Sequence, residues 1–369
     1  MGLSRKRNTL PILIAAIFQL ILWSCKTAPE IASKLEVREV WSIEQAREWG
    51  EKNPWLRGAN FNPSSAINQL ETWQEESFDP ETIDRELRWA GEIGFNLMRV
   101  YLHHAAWQVD REGFKSRMDK YLEIADKHGI KTMFVFFDDC WNATYSPGNQ
   151  PDPKPGIHNS GWIQDPGDLI FQDSTLMETL EVYVKDILST FADDERVLVW
   201  DLYNEPGNTG HDLKSMPLLK NVFKWGRQVN PSQPLTVGVW LPALTELNEY
   251  QLANSDIITY HNYEVPDLHR DAIDSLLQYR RPLICTEYMA RTRNSTFENI
   301  MPMLKEANVG AINWGFVAGK SNTIYAWDSP IEDGSEPEVW FHDIFRTDGT
   351  AFDDSEIALI KNLTGKTEQ

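Results

Sequence analysis

From Pro54 onward the chain alternates short apolar runs of strand character with amphipathic stretches of helical period, and it does so eight times. The strand-like runs cover 55–61, 95–102, 131–138, 196–203, 235–240, 256–263, 282–289 and 309–317. The helical stretches cover 80–93, 116–128, 175–191, 215–229, 242–253, 267–279, 296–307 and 353–362. Runs such as "KTMFVFFD" and "RVLVWDLY" are apolar on both faces, as a sheet covered on both sides requires. Such strands, each followed by a helix, pair in parallel through right-handed crossovers. Eight units over roughly 310 residues predict a closed (β/α)8 TIM barrel, an α/β fold in a single domain. No Gly-x-Gly-x-x-Gly follows the first strand, which argues against an open dinucleotide-binding sheet.

The barrel is expected to occupy 54–369. Ahead of it, residues 1–24 carry Arg5, Lys6 and Arg7 and then an apolar run from Leu10 to Trp23. That is the pattern of an export signal, too short for a membrane span. "LWSC", Leu22 to Cys25, resembles the bacterial lipoprotein processing box, which makes Cys25 the expected lipidated residue and that lipid the only membrane contact. Residues 25–53 then read as a tether followed by a helix, "SIEQAREW", packing under the barrel. With a net charge of -20 the chain repels phosphate backbones, so nucleic acid is excluded as a partner. The two remaining cysteines, Cys140 and Cys285, lie in or beside apolar runs and read as small buried residues rather than as a disulfide scaffold.

In a barrel, residues at the C-terminal ends of the strands converge on one opening, where active sites lie. Read strand by strand, those ends supply Asn60 and Asn62, Arg99, Asp138 and Asp139, Asn204 and Glu205, His261 and Tyr263, Glu287, and Trp314. Stability alone gives little reason to gather carboxylates, an arginine and a histidine in a low-dielectric mouth. Glu205 and Glu287 end strands on opposite sides, so they can face each other. Two carboxylates across a cleft are what glycoside hydrolysis needs, one to protonate the leaving oxygen and one to attack or screen the oxocarbenium-like centre. The long connections 139–173 and 318–352 also rise over this face and wall a cleft.

"WDLYNEPGN" (200–208), "YHNY" (260–263), "ICTEYM" (284–289) and "NWGF" (313–316), in that order, resemble the clan A glycoside hydrolases and, within them, family 5, the cellulase-like enzymes. The resemblance implies a retaining β-glycoside hydrolase of endo-acting cellulase, mannanase or xylanase type, with no cofactor and no metal. It makes Glu205 the general acid/base and Glu287 the nucleophile. Asn204 would hold the sugar 2-hydroxyl, and Arg99 would brace the nucleophile. Tyr263 would hydrogen-bond the nucleophile, His261 would tune the acid/base, and Trp314 would be the platform under the sugar. Many family members carry a histidine after the third strand, where this chain has Asp138 and Asp139. Those two are expected to contact sugar hydroxyls or an amino sugar, or to cap the next segment.

Asn60, Trp141 and Trp240 complete the expected substrate contacts. Among the 15 tryptophans, Trp89 and Trp225 read as packing residues, while Trp73, Trp107, Trp141, Trp162, Trp240, Trp327 and Trp340 fall on the active face as candidate platforms. His103 and His104 invite a metal, but no third ligand has suitable spacing, and polar substrate contacts are the other reading. The partner is an oligo- or polysaccharide. An exo-β-glycosidase with a closed pocket, a non-catalytic glycan-binding surface lipoprotein, and a metal-dependent lyase or isomerase barrel are the alternatives.

Overall fold

The computed structural model describes residues 37–366, so the expected signal segment and Cys25 lie outside the described residues. Eight parallel strands form one sheet: β1 Arg57–Asn60, β2 Leu97–Tyr101, β3 Lys131–Asp138, β4 Val197–Asn204, β5 Leu235–Thr236, β6 Ile258–His261, β7 Leu283–Glu287 and β8 Gly310–Asn313. Their order around the sheet is β5-β4-β3-β2-β1-β8-β7-β6. The seam between β5 and β6 is closed by a bridge from Val239 to Tyr260, with the Val239 N–H donating to Thr259 O at 3.0 Å and the His261 N–H to Val239 O at 2.9 Å. The expected (β/α)8 barrel is therefore present. Strand five is the exception in length: of 235–240 only two residues form a ladder, because the chain from Val237 onward pairs at isolated points.

The helices are α1 Ile43–Lys52, α2 Gln69–Trp73, α3 Pro80–Glu92, α4 His104–Val109, α5 Arg111–Lys127, α6 Leu176–Thr190, α7 Met216–Val229, α8 Thr245–Asn254, α9 Pro266–Leu277, α10 Phe297–Glu306 and α11 Asp354–Thr364. Helix α5 starts five residues before the expected 116, because Asp110 caps it by accepting from the Gly113 N–H at 3.0 Å. Helices α2 and α4 span one to two turns each, too short to show a period in sequence. Under the barrel, α1 begins in a reciprocal Ser42–Gln45 capping box worth about 1 kcal/mol. Its Trp49 packs on the apolar floor formed by Leu56, Leu97, Met133, Val199, Ile257, Ile284 and Ile312. Asp256 fixes the preceding segment, pairing with Arg38 and accepting from the Trp41 N–H at 2.9 Å.

Inside the barrel, then, the layers change character with height. The floor is aliphatic; above it sit Arg99 and Asp201, both fully buried; above those an aromatic cluster of Tyr101, Trp162 and Trp314 lines the mouth. The larger core lies outside, between strands and helices, and contains Trp73, Trp107 and Trp225.

Candidate active site

Arg99, in the middle of β2, organises the opening. Its Nε and Nη2 donate to Asp201 Oδ2 at 2.9 and 2.8 Å, and Nη2 also donates to Asn204 Oδ1 at 2.7 Å. Nη1 reaches Asn60 Oδ1 at 2.8 Å, the Tyr101 hydroxyl at 2.5 Å and Glu287 Oε1 at 3.0 Å. A buried guanidinium is tolerable only when its donors and charge are met, as here. Burial would lower its proton affinity, but Tyr101, Asp201 and Glu287 hold it raised.

Glu287 ends β7. Besides Arg99 it accepts from the Tyr101 hydroxyl at 3.1 Å on Oε1 and from the Tyr263 hydroxyl at 2.9 Å on Oε2. Between β6 and β7 the register slips by one residue, pairing Tyr260 with Cys285 but His261 with Glu287. Glu205 follows β4 at φ +45°, a left-handed conformation held between Asn204 and Pro206. A proline after it favours an extended backbone at negative φ, so the positive φ of Glu205 is a strained conformation that the surrounding contacts hold, as is common where a side chain is presented to an active site. Its Oε1 lies 2.6 Å from His261 Nδ1, and its Oε2 accepts from Asn208 Nδ2 at 2.5 Å and from the Cys140 thiol at 3.2 Å.

Carboxylate oxygens of Glu205 and Glu287 and a ring nitrogen of His261 all lie within 4.8 Å of one another. Two carboxyls this close titrate as a pair. Burial acts to raise Glu205, yet His261, Cys140 and Asn208 together hold it below its ordinary value. Burial raises Glu287, and the charge of Glu205 adds to that against the pull of His261, Arg99 and Tyr263.

Of the other expected contacts, Trp141, Trp240, Tyr263, Trp314 and Asn204 line the same cavity of about 570 Å³ as the two glutamates, together with Trp162 and Trp327. Three expectations need correction. Asn60 is turned into the protein: its amide donates to Thr286 O at 2.7 Å while its oxygen serves Arg99. Asp138 is buried, accepting from Asn204 at 2.9 Å and Trp162 Nε1 at 2.7 Å, and burial pushes it up to about 7. Asp139 is buried as well, accepting from the Tyr203 hydroxyl at 2.6 Å and the Gly207 N–H at 2.8 Å. Both aspartates hold the β4 end in place with every carboxylate oxygen engaged, and Asp138 Oδ1 also accepts from the Cys140 N–H at 2.9 Å, so of the two expectations sugar contact falls while capping of the next segment holds for Asp138.

Trp73, Trp107 and Trp340 are fully buried and are not platforms. His103 and His104 do gain a third acidic neighbour, Asp165, from 61 residues away. Every ring nitrogen is engaged, however: His103 meets the Ala105 N–H and Gln164 O, and His104 meets Asp165 and the Tyr145 hydroxyl at 3.2 Å. The cluster is a brace away from the cavity. Sequence reasoning missed Tyr101, Asp201, Asn208 and Cys140. The first lies two residues beyond Arg99, on the same strand face, and that period of two was the available signal. Cys285 is buried as expected, whereas Cys140 lines the cavity.

The family model described as Cellulase (glycosyl hydrolase family 5) matches residues 57–319. Among curated proteins no sequence matches the chain. Several solved structures share the fold. The endo-β-1,4-mannanase of Thermotoga petrophila superposes with a TM-score of 0.57 at 15% identity, covering 86% of this chain and 77% of that one. A family 5, subfamily 18 variant from Streptomyces cattleya in complex with Manβ1-4GlcNAc gives 0.59 at 12% identity, with 84% and 80% covered. The exo-β-1,4-mannosidase of Opitutaceae bacterium strain TAV5 gives 0.58 at 16%, with 84% and 60% covered. A match that runs from the first strand past the last, over a barrel whose mouth holds the motifs in family order, places the chain in glycosyl hydrolase family 5, the cellulase family.

Proposed function

We propose that this glycoside hydrolase cleaves β-linked mannosides with retention, using Glu205 as acid/base and Glu287 as nucleophile. The observation that carries the mechanism is the approach of the two carboxylates, with oxygens within 4.8 Å. A separation of about 5–5.5 Å suits direct attack, whereas inversion needs roughly 6.5–9.5 Å to admit a water. The sugar is proposed from the mannan- and mannoside-acting neighbours named above.

In the first step Glu287 attacks the anomeric carbon as the glycosidic bond breaks, and Glu205 gives its proton to the departing oxygen. Arg99, Tyr101 and Tyr263 hold the attacking carboxylate in place. In the second step Glu205, now ionised, takes a proton from water, whose oxygen bonds to the anomeric carbon and releases Glu287. Loss of the Glu287 charge in the intermediate lowers the proton affinity of Glu205, which suits its change from acid to base. Trp314 offers its face to the apolar side of the ring. We further propose that the chain is exported and tethered through lipid at Cys25.

The test is a panel of aryl β-mannosides, β-glucosides and β-xylosides, with the first sugar product followed by proton NMR. The β-mannoside should be the preferred substrate and the β-anomer should appear first. Glu205→Gln should lower kcat/KM on substrates with poor leaving groups by about 10²–10⁴-fold. In Glu287→Gly, azide should restore turnover and yield the α-azide. Initial release of the α-anomer would sink the retaining mechanism.

A further inference from the structure

The two long connections at the mouth do not stand apart as the banks of a groove. The Asn159 N–H in the connection after β3 donates to Ser321 O in the connection after β8 at 3.0 Å, and the Ile331 N–H donates back to Gly156 O at 3.0 Å. Asn322 Nδ2 donates to Lys154 O at 2.8 Å and to Ile157 O at 3.2 Å, and His158 Nδ1 lies 2.8 Å from Tyr325 O. The backbones touch so closely that a Cβ on Gly156 would sit 1.8 Å from Ile331 O. Because β2 and β1 lie between β3 and β8, the joined connections span that whole arc of the rim.

The wall continues the other way. Trp327, in the connection after β8, packs edge-on against Tyr263 beyond β6 with centroids 5.0 Å apart. Its neighbour Asp328 pairs with Arg293 after β7 at 2.6 Å. The rim from β3 through β8 to β6 is therefore tied together by hydrogen bonds, an ion pair and ring packing. Above β4 and β5 each connection is tied to its neighbour, Thr209 Oγ1 donating to Asp139 O at 2.8 Å and Trp240 Nε1 to Pro206 O at 3.2 Å, and Thr209, Leu241 and Ala243 stand exposed there.

The direction of the substrate follows from the chemistry. The leaving oxygen must face Glu205, at the end of β4, so the departing part of the glycan lies over β4 and β5. The ring being cut lies between Glu287 and Trp314, under the joined connections. Any sugar attached to its non-reducing side would have to pass through the hydrogen-bonded bridge. We infer that the cavity is a blind pocket for a single terminal sugar, and that the enzyme removes one β-linked residue at a time from the non-reducing end of short oligosaccharides. The cavity volume of about 570 Å³ lies within the range of small-molecule sites. This inference rests on the hydrolase reading proposed above and adds the mode of attack.

The test uses the β-1,4-linked hexaose of whichever sugar the aryl panel selects, labelled at its reducing end, beside the same hexaose with the 4-hydroxyl of its non-reducing terminal sugar blocked as a benzyl ether. The expected early products are free monosaccharide and labelled pentaose, followed by labelled tetraose. The blocked hexaose should react at least 100-fold more slowly, while the aryl glycoside is hydrolysed by the same preparation. Disaccharide, trisaccharide or short labelled fragments at the first time point, or equal rates on blocked and free hexaose, would overturn the blind pocket and leave the hydrolase reading standing. No turnover of aryl glycoside or hexaose would overturn both.

Discussion

Cys140 offers a graded test of how the site sets the acidity of Glu205. Three donors reach that carboxylate, from His261, Asn208 and the Cys140 thiol, the last at 3.2 Å. Each favours the ionised form, so each lowers the pKa, and Cys140 is among the causes that hold Glu205 down. A thiol is a weak donor, and its hydrogen bond to a carboxylate is worth about 1 kcal/mol, near the low end for charged partners. One pKa unit corresponds to about 1.4 kcal/mol, so Cys140→Ala should raise Glu205 by about 0.5–1 unit. In the proposed mechanism the alkaline limb of kcat/KM against pH reports loss of the proton that Glu205 and Glu287 share, and raising Glu205 should move that limb up by as much as this amount. Cys285→Ala is the control: that thiol donates to Glu287 O at 3.3 Å in the core, so the variant should lose stability with the limb unmoved. A limb in Cys140→Ala that stays within about 0.2 units of the parent, or moves down, would refute the reasoning.

Two further outcomes concern stability. Asp201→Asn leaves Arg99 buried with Glu287 as its remaining charge partner in a salt bridge, and loss of one member of a buried pair costs about 3–5 kcal/mol. For a domain of this length that lowers Tm by about 4–7 °C in a thermal melt; an unchanged Tm would remove Asp201 from the support of the site. Glu86 is buried against Ser64, and burial raises its carboxyl from 4.5 to about 7. Below pH 4.5 folded and unfolded chains both bind its proton; as pH rises to about 7 only the folded chain keeps it, so stability falls by about 3 kcal/mol across that window. Glu86→Gln lacks this loss, and its Tm relative to the parent should rise by about 4 °C between pH 5 and 8, whereas a constant difference would contradict the assignment.

The barrel was legible because its strands are buried on both faces, and a run such as "KTMFVFFD" has no surface-facing alternation to confuse with anything else. The ends of those strands located both glutamates, Arg99, His261 and Tyr263 in the mouth, since every strand of a parallel barrel delivers its end to the same side. What stayed hidden depends on partners far apart in sequence. Asp138 and Asp139 read as sugar contacts or as caps of the next segment, but Trp162, Tyr203 and the Gly207 N–H turn them away from the cavity. Cys140 read as core because nothing near it in sequence announces Glu205, 65 positions on. The tie between Asn159 and Ser321 likewise joins two loops of unremarkable composition, and backbone hydrogen bonds carry no residue code.

The arrangement also shows why neither glutamate can be understood alone. One guanidinium faces Asp201 and Glu287 directly, with Glu205 beside them, so the buried mouth holds more potential negative charge than positive. In a low-dielectric site that excess cannot remain fully ionised, and a proton is retained on the pair Glu205 and Glu287. In the free protein burial and the neighbouring charge raise Glu287 while its donors lower Glu205, which favours Glu287 as the holder, the reverse of the order the proposed double displacement uses. The groups around Glu287 act against that placement: Arg99 is raised, and Tyr101 and Tyr263 are raised well above 10, so all three stay donors. A proton on Glu287 would compete with them for the same two oxygens. His261 Nδ1, at 2.6 Å from Glu205 and 3.5 Å from Glu287, touches both sides. In the proposed mechanism, positive charge growing at the anomeric carbon favours the ionised form of the carboxylate it faces, Glu287, and so moves the proton of the pair to Glu205, beside the leaving oxygen. Glycosylation, in the same proposed mechanism, then removes the charge of Glu287 and with it the reason for Glu205 to hold a proton, so one excess charge would account for both the acid and the base step.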